Sequence, residues 1–130
     1  GEAARLLKWP GGGEEIQANR KKAHLALVEA TGATVILKGA GSLVGSQDSE
    51  TWENRTGNSG MATAGSGDIL TGLLSALLAR GMTVSTASRL GVHLHGLAGD
   101  LAAKDLGKES LNASDLVDYL PAAFQSLTQS

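Results

Sequence analysis

With 130 residues and 42% hydrophobic content the chain is long enough for one small domain with a core of its own, here taken as residues 1–130. Its net charge of -2 gives no electrostatic reason to expect nucleic acid or an anionic membrane as partner, so any anion is bound locally. The absence of cysteine excludes disulfides and thiolate metal sites and suits a reducing, cytoplasmic compartment.

Aromatic residues make up only 3% and glycines number 18, which suits an α/β domain of small side chains and tight turns better than a β-sandwich. No apolar run approaches the length of a membrane span. Gly1-Glu2 is an unusual natural start, so a preceding segment is expected. Glu2 to Lys8 reads as a short helix broken by Trp9-Pro10 and three glycines. From Glu15 to Thr31 the spacing of Ile16, Ala23, Ala26, Leu27 and Ala30 predicts an amphipathic helix with Arg20, Lys21 and Lys22 solvated and Gly32 as its stop.

Thr34 to Leu37 is β-branched, apolar and bounded by glycines, the form of a buried strand in a parallel α/β sheet. Lys38-Gly39-Ala40-Gly41-Ser42 closes it. Lys38 either points its ammonium into a nucleotide phosphate site at the carboxyl edge of the sheet or reaches solvent; position alone favours neither. Ser42 to Val44 and Glu50 to Glu53, joined by a polar turn around Gln47-Asp48-Ser49, predict a hairpin, because the turn is too short for a helix.

The stretch Gly57 to Gly72, GNSGMATAGSGDILTG, is glycine-rich and runs into the helical spacing of Ile69, Leu70, Leu73, Leu74, Leu77 and Leu78. A loop feeding a helix in this way lets a phosphate approach bare backbone N–H groups that have no partner within the helix. Gly65, Ser66 and Gly67 are the candidate phosphate contacts. The familiar phosphate motifs fail here: Ser66 stands where a Walker A loop carries lysine, and Leu70 where the dinucleotide fingerprint carries its third glycine. A nucleophile elbow around Ser59 fails at Met61. Asp68 at the loop–helix junction is either a capping residue, the commoner role of an Asp there, or a general base for a substrate hydroxyl beside the phosphoryl site.

The predicted helix from Ile69 ends at Arg80 before Gly81, and Thr86 to Leu106 predicts a second long helix. His93 and His95, two residues apart, face different directions on it, so a shared metal is not expected and His95 is assigned to packing. Asn112 to Asp115 supplies capping residues for a last helix to about Leu127, kinked or restarted at Pro121.

VILKGAGSLV, TGNSGMATAGSGDILTGLLSALLARG and GVHLHGLAGDLAA, in this order and spacing, resemble the ADP- or ATP-dependent NAD(P)H-hydrate dehydratases of the ribokinase-like superfamily. The resemblance runs from GEAARLL at Gly1, which is similar to the segment after a His-Pro pair in that family, to the C-terminal helix. It implies a ribokinase-like three-layer α/β/α fold of which this chain is the C-terminal portion. It further implies repair of hydrated NADH and NADPH, in which the nucleotide phosphorylates the ring hydroxyl and phosphate then leaves.

Carried over by residue, the resemblance implies that Lys38, Gly39, Ala40, Gly41 and Ser42 contact the adenine nucleotide and Gly67 lies in its phosphate site. Asp68 addresses the hydrated nicotinamide as catalytic base. ADP or ATP with Mg2+ held mainly through phosphates is the implied cofactor set, with no metal bound by protein side chains alone. A sheet lacking the strands of the other half leaves an unpaired edge, so a homo-oligomer is expected, with weak nucleotide binding and no turnover by the chain alone. A ribokinase-like kinase of a small molecule such as a vitamin precursor, and a non-catalytic nucleotide-binding module, are the alternatives.

Overall fold

The computed structural model describes residues 20–38, 41–47 and 50–128. The expected helix Glu2–Lys8, the Trp9-Pro10 break, the first residues of the Glu15 helix, Gly39, Ala40, Asp48 and Ser49 lie outside the described residues. The chain divides into two compact units, Gly1–Glu53 and Asn54–Ser130.

In the first unit, α1 spans Arg20–Thr31 and ends as expected at Gly32, whose φ of 67° suits glycine and whose N–H reaches the Val28 carbonyl at 2.8 Å. Its buried face is Ala23, His24, Leu27 and Val28, whereas Ala26 is half-buried and Ala30, expected in the core, is exposed. The cause is His24. Its Nε2 lies 2.9 Å from the Val35 carbonyl and its Nδ1 lies 3.3 Å from the Thr51 hydroxyl. With both ring nitrogens partnered the imidazole can be fully buried, and the buried stripe turns toward it. Lys21 and Lys22 are exposed as expected, but the Arg20 guanidinium donates to the Leu37 carbonyl at 3.0 Å.

Strands β1 (Val35–Leu37), β2 (Leu43–Gly45) and β3 (Trp52–Glu53) form a sheet in the order β1-β2-β3. The predicted hairpin is β2–β3, with Leu43 opposite Glu53 and Val44 opposite Trp52. The parallel pairing expected of Val35 to Leu37 is corrected: β1 runs antiparallel to β2, Ile36 facing Val44, and it is half-buried rather than buried. Five residues, Lys38 to Ser42, separate the two strands. That is enough for a turn and too few for the dozen or so that a parallel crossover requires.

The second unit is helical. A single 3-10 turn at Ser59–Met61 precedes α2 (Ser66–Ala79), followed by α3 (Val84–Leu106), a further 3-10 turn at Lys108–Ser110 and α4 (Ala113–Thr128). Leu73, Leu77, Ala87, Leu94, Ala98 and Ala123 form its core, with Leu90, Leu97, Leu101 and Phe124 packed against it. Leu77 and Leu94 are almost wholly buried. Each such side chain contributes roughly 1.5–3 kcal/mol by leaving water.

Thr83 caps α3 by accepting the Thr86 N–H at 3.2 Å, which sets its start at Val84. Of the kink or restart expected at Pro121, the restart does not occur: α4 runs through it as one helix. Proline removes the N–H that would have reached the Val117 carbonyl, and Val117 and Pro121 both lie on the exposed side, where water can serve that carbonyl.

Candidate phosphate and acid-base site

The glycine stretch is held by side chains from its own unit. Asn54, 4% exposed, accepts the Thr56 N–H at 3.3 Å through Oδ1 and donates through Nδ2 to the Thr56 carbonyl at 3.1 Å. The Thr56 hydroxyl lies 2.9 Å from both Asn54 Oδ1 and the His93 carbonyl of α3, with one proton to share between them. Asp100, two turns beyond His93, accepts the Gly57 N–H at 2.9 Å on one oxygen and Asn58 Nδ2 at 3.0 Å on the other. Asn58 in turn accepts the Gly60 N–H at 2.9 Å, capping the Ser59–Met61 turn.

The loop can lie this close to α3 because Gly96 and Gly99 have no side chains. A Cβ at Gly96 would collide with Thr56, and one at Gly99 with the Met61 sulfur. Glycines inside a helix cost stability and, when present, usually serve close packing.

The loop then enters α2 earlier than its apolar periodicity suggested. Gly65 is the N-cap, at φ 89° and ψ -10°, a left-handed conformation that a side chain would resist. Helical geometry starts at Ser66, so Gly67 and Asp68 belong to the first turn. The Ser66 N–H is taken by the Thr63 carbonyl at 3.2 Å. The N–H groups of Gly67 and Asp68 have no hydrogen-bond partner among the described residues. Two unpartnered donors at the positive end of a 14-residue helix are suited to an anion.

Asp68 is not the N-cap, since that position is Gly65 and no side chain caps this helix. Its carboxylate is exposed and bonds to no described residue. His95 holds the same helix start: its Nε2 lies 3.0 Å from the Ser66 carbonyl and 3.3 Å from the Ser66 hydroxyl. The packing role expected of His95 therefore has a specific form. Among the described residues no group of three or more His, Asp or Glu could hold a metal ion.

Of the other predicted contacts, Lys38 is exposed at the end of β1, while Gly41 and Ser42 are half-buried ahead of β2; Gly39 and Ala40 lie outside the described residues. These belong to the first unit, and Gly65, Ser66, Gly67 and Asp68 to the second. Sequence reasoning missed Asn54, Thr56 and Asp100. Glycines three apart on a helix, Gly96 and Gly99, were the available sign that something packs closely on that face.

Residues 1–122 match the family NAD(P)H-hydrate dehydratase. The chain is 44% identical over 116 residues to a bifunctional NAD(P)H-hydrate repair enzyme of Thermofilum pendens, covering 89% of this chain and 22% of that protein. It is 45% identical over 106 residues to an ADP-dependent (S)-NAD(P)H-hydrate dehydratase of Neisseria meningitidis, covering 82% of this chain and 35% of that one. Among solved structures it is similar to the ADP/ATP-dependent NAD(P)H-hydrate dehydratase of Bacillus subtilis co-crystallised with ATP/Mg2+ and soaked with CoA, at 28% identity and a TM-score of 0.82. That match covers 87% of this chain and 42% of the other. The chain thus spans between a fifth and about two fifths of the length of these relatives.

Proposed function

The chain belongs to the NAD(P)H-hydrate dehydratase family, and from that premise we propose that it carries the phosphate-binding end and the catalytic base of an adenine-nucleotide-dependent dehydratase of hydrated NADH and NADPH. The observation that carries this reading is the start of α2. There the unpartnered N–H groups of Gly67 and Asp68 stand beside an exposed carboxylate that no capping bond engages.

The chemistry follows from that arrangement. Asp68 takes the proton of the ring hydroxyl as the hydroxyl oxygen attacks the terminal phosphoryl group of ADP or ATP, and AMP or ADP leaves with the electron pair of the broken P–O bond. The α2 N–H groups meet the charge that develops on the phosphoryl oxygens. Hydroxide is a poor leaving group, but the phosphorylated oxygen departs as phosphate when the ring nitrogen's lone pair pushes it out, and loss of a proton from the adjacent ring carbon to solvent then restores the reduced nicotinamide. Gly65, Ser66 and Gly67, together with Lys38, Gly39, Ala40, Gly41 and Ser42, are proposed to contact the nucleotide.

Mg2+ fits this donor set as an ion held by phosphate oxygens and water, since no described cluster of side chains would bind it unaided. It would supply charge neutralisation of the phosphates. A cytoplasmic, homo-oligomeric protein with neither nucleic acid nor membrane as partner belongs to the same proposal. It rests on the near-neutral charge, the cysteine-free composition and the two sheet edges presented by β1 and β3 among the described residues. No helix among the described residues is long and apolar enough to cross a membrane.

The test is incubation of hydrated NADH with ADP or ATP, Mg2+ and a protein carrying the full length of the family fold with this chain as its C-terminal part. Orthophosphate released in step with returning reduced-nicotinamide absorbance is the expected result. A stable phosphorylated product would instead assign a small-molecule kinase. Nucleotide binding with neither product would leave a binding module.

A further inference from the structure

Asp100 lies outside the glycine stretch, 32 positions after Asp68, yet both oxygens of its carboxylate are committed to that stretch. One accepts from the backbone of Gly57 and the other from the side chain of Asn58, and Asn58 passes the constraint to Gly60 through a third bond. The geometry around these bonds leaves little slack. Gly57 adopts φ 104°, and a Cβ at Gly60 would collide with the Lys108 carbonyl, so the loop has one seat between α3 and the Lys108–Ser110 turn.

We propose that Asp100 is a positioning residue for the nucleotide site: by fixing Gly57, Asn58 and Gly60 it sets the path of the loop into Gly65 and hence the direction of the Gly67 and Asp68 N–H groups. The proposal rests on the functional reading above, because it assigns those groups to the nucleotide phosphates. Asp100 itself touches no phosphate in this scheme. Its carboxylate accepts from two donors, Gly57 N–H and Asn58 Nδ2, and a charged acceptor is suited to that task because its hydrogen bonds are stronger than those of a neutral amide.

The donor and acceptor pattern supplies its own control. In Asp100→Asn one carboxylate oxygen becomes an NH2 group facing the Asn58 NH2 group, donor against donor. Adding Asn58→Asp reverses that pair: Asn at 100 accepts from Gly57 N–H and donates to Asp at 58, whose other oxygen accepts from Gly60 N–H. All three bonds are available again with the partners exchanged.

Calorimetric titration of ATP with Mg2+ into a protein carrying the full length of the family fold, alongside amide exchange at Gly57 and Gly60, tests the proposal. Asp100→Ala and Asp100→Asn are expected to bind ATP about tenfold more weakly with faster exchange at both amides, and the exchanged pair to recover both. Single variants that bind ATP like the unaltered chain overturn the proposal. So does an exchanged pair that recovers the amide protection and not the affinity, since Asp100 would then serve only local stability. If Asp100→Ala does not fold, the near-isosteric Asn variant and the exchanged pair decide. Absence of ATP binding by the unaltered full-length protein is a different outcome: it overturns the functional reading, and this inference with it.

Discussion

Helices α2 and α4 each carry an aspartate three residues after the N-cap, and the two aspartates do different things. At α4, Asn112 Oδ1 accepts the Asp115 N–H at 3.2 Å while Asp115 Oδ2 accepts the Asn112 N–H at 3.0 Å, a reciprocal capping box to which the Ser114 hydroxyl adds a bond at 2.6 Å. At α2 the cap is Gly65, which has no side chain, and the Asp68 carboxylate is exposed and bonded to no described residue. One aspartate is engaged in holding a helix end. The other makes no hydrogen bond to a described residue. The same residue type at the same helical position is therefore bonded at one helix start and unbonded at the other, and the difference lies in its partner at the cap.

The sharpest way to break this contrast is to neutralise each aspartate in turn. In a protein carrying the full length of the family fold, Asp68→Asn is expected to lower turnover of hydrated NADH by about 100- to 10,000-fold, as for loss of a general base. Its stability should change by less than about 1 kcal/mol, the scale of a first-turn charge with the helix dipole. Asp115→Asn should leave turnover unchanged. Equal turnover in Asp68→Asn and the unaltered protein would return Asp68 to an inert surface position.

The next largest effect is expected at the α2 cap itself. Gly65→Ala places a Cβ on a residue at φ 89°, 3.1 Å from the Ala113 Cβ, and should cost about 1–2 kcal/mol in denaturant unfolding. At α4 the cap acts through its side chain, so Asn112→Ala should cost about 1 kcal/mol without weakening nucleotide binding. A larger loss of nucleotide affinity in Asn112→Ala than in Gly65→Ala would reverse the assignment of the two helix ends.

The smallest effect concerns titration. Tyr119 on α4 donates to Asp105 Oδ2 at 2.7 Å, and this bond, with the charges of Asp105, Asp115 and Asp118, raises its pKa above the usual 10. Because the folded value exceeds the unfolded one, the associated stability is present below pH 10 and is lost as pH rises through the folded value. Asp115→Asn should lower the Tyr119 pKa in a spectroscopic titration, whereas Asp68→Asn should leave it in place.

By itself the sequence determined where the described helices lie and where the first two of them end, because their apolar spacing, the stops at Gly32 and Gly81 and the Asn112 cap are local properties of the chain. The hairpin β2–β3 was legible for the same reason: a short polar turn permits no other connection. The glycine loop and Asp68 were legible as a candidate phosphate site from residue types alone. Tertiary structure alone decided the rest. A β-branched run such as Val35 to Leu37 reads the same in a parallel or an antiparallel sheet, and only its pairing with β2 separates the two. A histidine such as His24 enters the core only if distant groups satisfy both ring nitrogens, and those groups, Val35 and Thr51, lie 11 and 27 residues away. The reach of Asp100 over 42 and 43 positions to Asn58 and Gly57 likewise depends on hydrogen bonds that exist only after the loop packs on the helix.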